Sequence, residues 1–251
     1  LACFIPLNSS KVIINKLLNY NSKNILFNDL ITVQIKEPLR EIELKKKIRF
    51  LDNINDSISN EVRKQYEENP YPRWRNPTQN LNSSFSEILK DEIKPNIIKF
   101  NNKFNKPNVL IAGCGTGIHT ISANRYKNAN ILGVDLSLKS LSYAKRKIEE
   151  LNYTNIDFLH ADILQLKMLN KKFDIIESVG TLHDMKNPVQ GLKILIDICH
   201  QDVPIEESLS VSQSIKEAII NRPLDDIILI FGSFYTVSEG FNTLKQMKLV
   251  N

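Results

Sequence analysis

Three glycines in five residues, Gly113, Gly115 and Gly117, stand out in a chain that has only 8. They follow the apolar run Val109-Leu110-Ile111 and precede a helix-like stretch, so the order is strand, tight turn, helix. Glycine has no Cβ, which lets the main chain turn sharply and lets a ligand lie against it. A helix opening there aims unpaired N–H groups and the positive end of its dipole at that ligand. Asp135 closes the next apolar run, 22 positions after Gly113. An acid about 20 residues beyond such a turn is placed to grip ribose hydroxyls. The chemistry these residues suit is therefore the holding of a nucleoside.

Spacing chooses among nucleoside ligands. A dinucleotide site calls for G-x-G-x-x-G, with the third glycine letting helix and strand pack closely. Here Gly113-Cys114-Gly115-Thr116-Gly117-Ile118 puts Ile118 in that slot, which disfavours a nicotinamide oxidoreductase. A P-loop needs G-K-[ST], which is absent. G-x-G-x-G after an apolar strand, with Asp135 closing the next strand, resembles the class I S-adenosylmethionine (SAM)-dependent methyltransferases. That resemblance implies an α/β fold, a Rossmann-like parallel sheet with flanking helices. It also implies SAM held by Gly113, Cys114, Gly115 and Gly117, by Asp135 on the ribose, and by Leu136 against adenine. In His160-Ala161-Asp162-Ile163, Asp162 would take the adenine amino group and Ile163 would line the base pocket. From the sequence alone Asp162 is also readable as a helix cap before Leu164. Many relatives carry an acid near the end of the first strand, where this chain has Ile111-Ala112.

The elements that must position these residues alternate. Strands are expected at Val109–Ala112, Ile131–Asp135, Ile156–Leu159 and Phe173–Glu177. Helices are expected from Gly117 to Tyr126 and after Ser137, which can cap a helix carrying Leu141, Ala144, Ile148 and Leu151. Such alternation gives a parallel sheet, whose ligands sit outside the carboxyl ends of the strands. Gly113, Asp135, Asp162 and Glu177 all fall at such ends. With SAM the protein mainly holds a nucleophile in line with the methyl, and a base helps when the nucleophile carries a proton. Glu177, His183 and Asp184 are the candidates, and His183 is favoured because imidazole titrates near neutrality.

Before this core, residues 1–57 read as helical pieces, with Ile13/Leu17 and Ile14/Leu18 pairs, and Pro38 opening a helix whose stripe is Leu44, Ile48 and Leu51. A helix through Val62 and Tyr66 must stop near Asn69, because Pro70 and Pro72 follow. The stiff segment behind it carries Tyr71, Arg73 and the only tryptophan, Trp74, and suits a lid over the ligand mouth. This segment, followed by the AGCGTG turn, resembles methyltransferase domains attached to bacterial tetratricopeptide-repeat proteins over about residues 58–198. No repeat of that kind is visible here. Phe85, Ile88, Leu89, Ile93, Ile97 and Phe104 suggest a further helix broken at Pro95.

After Ile198 the pattern changes. Cys199-His200-Gln201-Asp202-Val203-Pro204 replaces the turn into a fifth strand, and residues 203–247 resemble the end of folylpolyglutamate/dihydrofolate synthases, without that family's P-loop or ligase centre. The tail itself reads helix (Val211–Ile220), strand (Asp226–Phe231), helix (Val237–Met247). Three parts follow: a helical segment 1–57, a methyltransferase core 58–200 and a ligase-like tail 201–251. The function expected is methyl transfer from SAM to an unidentified acceptor. The alternatives are a SAM-binding or scaffold module without turnover and a non-catalytic fragment of a folate ligase.

Composition narrows the setting. Of 251 residues, 42% are hydrophobic and 24% charged, near the average for a chain with a packed core. A net charge of +5 comes partly from Lys45-Lys46-Lys47 and Lys145-Arg146-Lys147, which read as solvated helix surface. Only Arg73-Trp74-Arg75 interleaves an aromatic with basic residues, which argues against nucleic acid as partner. Cys3, Cys114 and Cys199 have no paired spacing and the four histidines are scattered, so no metal site and a reducing, cytoplasmic setting are expected. No run is long enough to cross a bilayer, and the opening Leu1 in place of Met fits a fragment.

Overall fold

Alternate residues of the strand Asn108–Ala112 enter different cores. Val109 and Ile111 pack with Ile131, Phe158 and Leu141, whereas Leu110 and Ala112 pack with Val134, Leu159, Leu166 and Ile194. A strand buried on both faces is the mark of a sheet covered by helices on both sides. The computed structural model describes residues 5–77, 83–84, 87–88, 105–200, 208–221 and 234–250. The chain divides into two compact units, Leu1–Asp202 and Val203–Asn251.

The first unit is built on five parallel strands: β1 (Arg49–Phe50), β2 (Asn108–Ala112), β3 (Asn130–Asp135), β4 (Ile156–His160) and β5 (Ile175–Glu177). Their order is β1-β4-β3-β2-β5, so the chain reverses its direction of travel across the sheet beside β2. In open α/β sheets that reversal opens a crevice at the carboxyl ends, where ligands bind. The helices of this unit are α1 (Lys11–Leu17), α2 (Ile25–Ile31), α3 (Glu37–Lys45), α4 (Ser57–Glu68), α5 (Ile118–Ser122), α6 (Leu138–Glu150) and α7 (Pro188–Asp197). The second unit contains α8 (Val211–Asn221) and α9 (Phe234–Gln246). The four expected core strands, the cap at Ser137, the stop at Asn69 and both tail helices are all present, with ends shifted by a few residues. The expected helix broken at Pro95 and the expected tail strand Asp226–Phe231 lie outside the described residues, apart from Ile88.

Three expectations need correcting. Residues 1–57 are not helical throughout: Arg49–Phe50 pairs in parallel with Leu159 and His160 and forms the sheet edge next to β4. The helix expected over Gly117–Tyr126 is α-helical only to Ser122 and ends in a 3-10 turn, Ala123–Arg125. The basic run in α6 is not solvated. Arg146 is only 4% exposed at its side chain and reaches Glu41 (3.1 Å), Glu37 (3.1 Å) and Glu150. Arg73 meets the same Glu41 carboxylate at 3.0 Å, so α3, α6 and the segment after α4 share one buried ionic cluster. Burial raises the Glu37 carboxyl above its ordinary value and Arg146 pulls it back.

An isolated parallel bridge forms where the sequence pattern changes. Phe173 N–H donates to Ile198 O at 2.9 Å and His200 N–H to Phe173 O at 2.9 Å, so Cys199 lies parallel beside Phe173.

Candidate functional site

The glycine turn is tied to the end of β3. Gly113 and Cys114 donate their N–H groups to Val134 O at 2.8 and 2.9 Å. Asp135 accepts from Gly115 N–H at 2.7 Å through one carboxylate oxygen and from Ser137 N–H at 2.9 Å through the other. Burial lifts this carboxyl above the ordinary aspartate value, and the N–H groups of Ser137 and Gly115 work against that lift. Two glycines have distinct tasks. A Cβ on Gly117 would stand 2.6 Å from the Ala144 Cβ, so Gly117 supplies the close helix packing that Ile118 cannot. Gly115, at φ +52°, would meet nothing nearer than Tyr71 O at 3.8 Å, which leaves its face open beneath the segment after α4.

That segment is fastened over the turn. Thr116 Oγ1 donates to Pro72 O at 2.6 Å, Trp74 Nε1 donates to Thr116 O at 3.1 Å, and the Tyr143 hydroxyl donates to Trp74 O. Tyr71 and Pro72 line the cavity, whereas Trp74 turns back onto Tyr143 and the core. Trp74 is the only tryptophan and bonds the turn itself. A ligand seated on Gly115 is therefore expected to change its fluorescence emission saturably on titration. A Thr116→Val variant, which loses the hydroxyl bond to Pro72 O, is expected to blunt the response.

The cavity has a volume of about 360 Å³, within the range of small-molecule sites. Its wall takes Gly113, Cys114, Gly115 and Thr116 from the turn, Asp135 and Leu136 from the end of β3, and Asp162 and Ile163 from beyond β4. The α4 helix adds Ser59, Val62 and Tyr66, and the loop after β5 adds Val179, Gly180, Thr181, Asp184 and Met185. The structure thus brings Gly113, Cys114, Gly115, Asp135, Leu136, Asp162 and Ile163 to one cavity; Gly117 stands just behind it, at the start of α5. Asp162 also caps the 3-10 helix Ile163–Leu169, accepting from Leu164 N–H at 2.9 Å. The helix-cap reading of Asp162 is thus seen directly, and the residue also lies on the cavity wall where the other reading expects adenine. Cys114 turns its sulfur towards Gly133, and burial raises its thiol well above the ordinary value.

The two expected bases stand elsewhere. Glu177 is not on the wall: one of its carboxylate oxygens accepts from Tyr126 Oη at 2.6 Å and Arg125 at 3.1 Å. Burial, then the hydrogen bond to Glu177, raises the Tyr126 phenol above its ordinary value, so that proton stays on tyrosine. His183 is also off the wall, with 72% of its side chain exposed, and its Nε2 lies 3.3 Å from Asp184 Oδ1. Asp184 is the member of that pair that reaches the cavity. The sequence reading missed the α4 side of the wall. Its signal was present: Ser59, Val62 and Tyr66 follow i, i+3 and i+7 spacing on one helical face.

Behind the wall, buried His160 places Nε2 2.8 Å from Leu136 O, while its Nδ1 is buried without a hydrogen-bond partner. Burial lowers this imidazole below its ordinary 6.5. As pH falls, the unfolded chain takes up the proton first. The stability His160 contributes is complete above about 6.5 and is lost as pH drops through the folded-state value. Denaturant midpoints should therefore fall between pH 7.5 and 5.5, and fall less in a His160→Asn variant.

With this geometry in place, part of the chain proves similar to known methyltransferases. Residues 103–220 match the family model of a methyltransferase domain. The match runs past Cys199 and through most of α8. The fold is accordingly an α/β methyltransferase fold. A tRNA (guanine-N(7)-)-methyltransferase of Rubrobacter xylanophilus is 47% identical over 62 residues, 24% of this chain and 28% of that protein. The (S)-tetrahydroprotoberberine N-methyltransferase of Eschscholzia californica is 35% identical over 80 residues, 32% of this chain and 23% of that protein. Among solved structures, magnesium protoporphyrin IX methyltransferase of Synechocystis with bound SAM gives a TM-score of 0.42 at 20% identity, covering 59% of this chain and 75% of that one. The chain spans about a quarter of the length of the curated relatives it matches. Among the described residues, no helix is long and apolar enough to cross a membrane, and no group of three His, Cys, Asp or Glu is placed to hold a metal.

Proposed function

We propose that this chain is a SAM-dependent methyltransferase. The observation that carries the reading is the convergence of the Gly113–Gly117 turn, Asp135 and Asp162 on one cavity at the carboxyl ends of β2, β3 and β4. Asp135 holds the ribose hydroxyls, Leu136 and Ile163 give the base two apolar faces, and Asp162 takes its amino group. The open face of Gly115 admits the amino-acid end without the acid that many relatives place after the first strand. SAM supplies a methyl already made electrophilic by a sulfonium, so the chain's task is to hold and orient the acceptor and exclude water.

Asp184 stands where a base is needed, with His183 outside it leading to solvent. This assigns His183 to the proton's exit rather than to contact with the acceptor. Glu177 remains a buried anchor for Arg125 and Tyr126. That engagement favours one other reading, a SAM-binding module without turnover. The proposal includes a cytoplasmic setting, a likeness to methyltransferase domains of bacterial repeat proteins, and a tail beyond residue 202 that resembles a folate-ligase end without its active centre.

Thermal unfolding tests binding. S-adenosylhomocysteine (SAH) at 100 times its Kd should stabilise the protein by about 2.7 kcal/mol, a rise in Tm of about 5–10 °C. Transfer of labelled methyl from SAM then separates an enzyme from a binding module. No rise with SAM or SAH would sink both.

A further inference from the structure

The cavity wall carries three carboxylates and one imidazole, that of His119. Asp135, Asp162 and Asp184 contribute carboxylates, and among the described wall residues there is no lysine or arginine. Two of the three carboxylates are already engaged in shaping the nucleoside side. Asp135 uses both oxygens on Gly115 and Ser137 N–H groups, and Asp162 caps the turn after β4. Asp184 is different: its side-chain neighbour is the exposed His183, and it lies across the cavity wall from the turn, on the loop after β5. Tyr66 lines the same cavity as Asp184 and Asp135, and its phenol is raised by burial and then by those two carboxylates. Tyr71 adds a second aromatic ring to the same wall. A carboxylate that shares a cavity with aromatic side chains suits a cation, since the ring quadrupole and the carboxylate both favour positive charge.

Room for the rest of such a molecule adjoins. A second cavity of about 450 Å³ shares Ser59 and Met185 with the first, and Leu164 and Pro188 line it together with the polar Asp56, Lys186, Asn187 and Gln190. Met185 follows Asp184 directly, so the two spaces meet beside that carboxylate.

We infer that the methyl acceptor is an amine, held as its ammonium by Asp184 in the cavity that Tyr66 and Tyr71 also line, with its remaining part in the adjoining cavity. This rests on the SAM-binding reading above. The balance is simple. The ammonium gives one proton to Asp184, from which it leaves by way of solvent-exposed His183. The freed nitrogen lone pair forms the N–C bond to the methyl as the C–S bond breaks, and that electron pair stays on sulfur as a neutral thioether. The sulfonium's positive charge passes to nitrogen with the methyl, so the product is an ammonium again.

The test uses the full chain saturated with SAH and three probes of similar shape: phenethylamine, 3-phenylpropionate and 4-ethylphenol. Calorimetry is expected to show phenethylamine binding at least tenfold tighter than the other two. Asp184→Asn should weaken phenethylamine by tenfold or more while SAH affinity stays within twofold. A His183→Ala variant should bind phenethylamine as the wild type does, but its methyl-transfer rate should fall and recover with added imidazole. Equal binding of the three probes, or an unchanged amine affinity in Asp184→Asn with SAH bound normally, overturns the inference and leaves the SAM-binding reading standing. Failure of SAH itself to bind overturns both.

Discussion

Replacing Asp135 with alanine is expected to weaken SAH binding by about 10- to 150-fold, with the fold retained. The magnitude follows from the loss of charge-assisted hydrogen bonds, each worth about 1.5–3 kcal/mol. Both carboxylate oxygens already accept N–H groups, from Gly115 at 2.7 Å and Ser137 at 2.9 Å, so the residue is held in place before any ligand arrives. A carboxylate fixed in this way loses little freedom on binding, which lets its hydrogen bonds to a ribose count nearly in full. The alanine variant also releases the Gly115 N–H, so the turn should loosen as well. Asp135→Asn separates the two effects. It keeps an acceptor for one N–H group but removes the charge, and should fall between wild type and alanine. Calorimetry with SAH gives both affinities, and circular dichroism checks the fold.

The largest stability effect is expected at Arg146, far from the chemistry. Arg146→Ala should destabilise the protein by about 3–5 kcal/mol in a denaturant titration, the cost of leaving buried carboxylates without their cation. Glu41 is the critical partner, since it is itself buried and accepts from both Arg146 and Arg73. A double variant, Arg146→Met with Glu41→Leu, should recover much of that loss, because removing both charges removes the unpaired one. Arg73 belongs to the segment that carries Tyr71 and Pro72 to the cavity, so Arg146→Ala should also reduce SAH affinity. Recovery of stability in the double variant without recovery of affinity would show that Arg73 needs Glu41 to hold that segment.

What the sequence shows and hides follows from distance along the chain. The glycine turn, Asp135 and Asp162 were legible because each belongs to a strand and the residues next to it, and their common cavity follows from parallel pairing alone. Arg146 was misread as solvated because its partners Glu37 and Glu41 lie about a hundred residues away, in a helix whose packing face the local pattern did not reveal. The edge strand β1 was invisible for another reason. Its two residues, Arg49 and Phe50, are both exposed, so no alternation of apolar and polar residues could mark them. The contrast between His183 and Asp184 turns on a single residue step in the 3-10 turn Leu182–Asp184. Neighbours on such a turn point about 120° apart, so the favoured imidazole faces solvent and the carboxylate beside it faces the cavity. The α4 wall was read correctly as a helix, but which of its faces meets the cavity depends on the segment through Pro70 and Pro72 that folds over the turn.

Hydrogen–deuterium exchange with and without saturating SAH tests the central claim most directly. The account predicts slowed exchange at the Gly115–His119 amides, at Leu136 and Ser137, at Ile163 and Leu164, and in the Tyr66–Trp74 segment, with little change elsewhere among the described residues. Unchanged exchange over those four stretches in protein shown to carry SAH would contradict it, as would protection confined to α8 and α9.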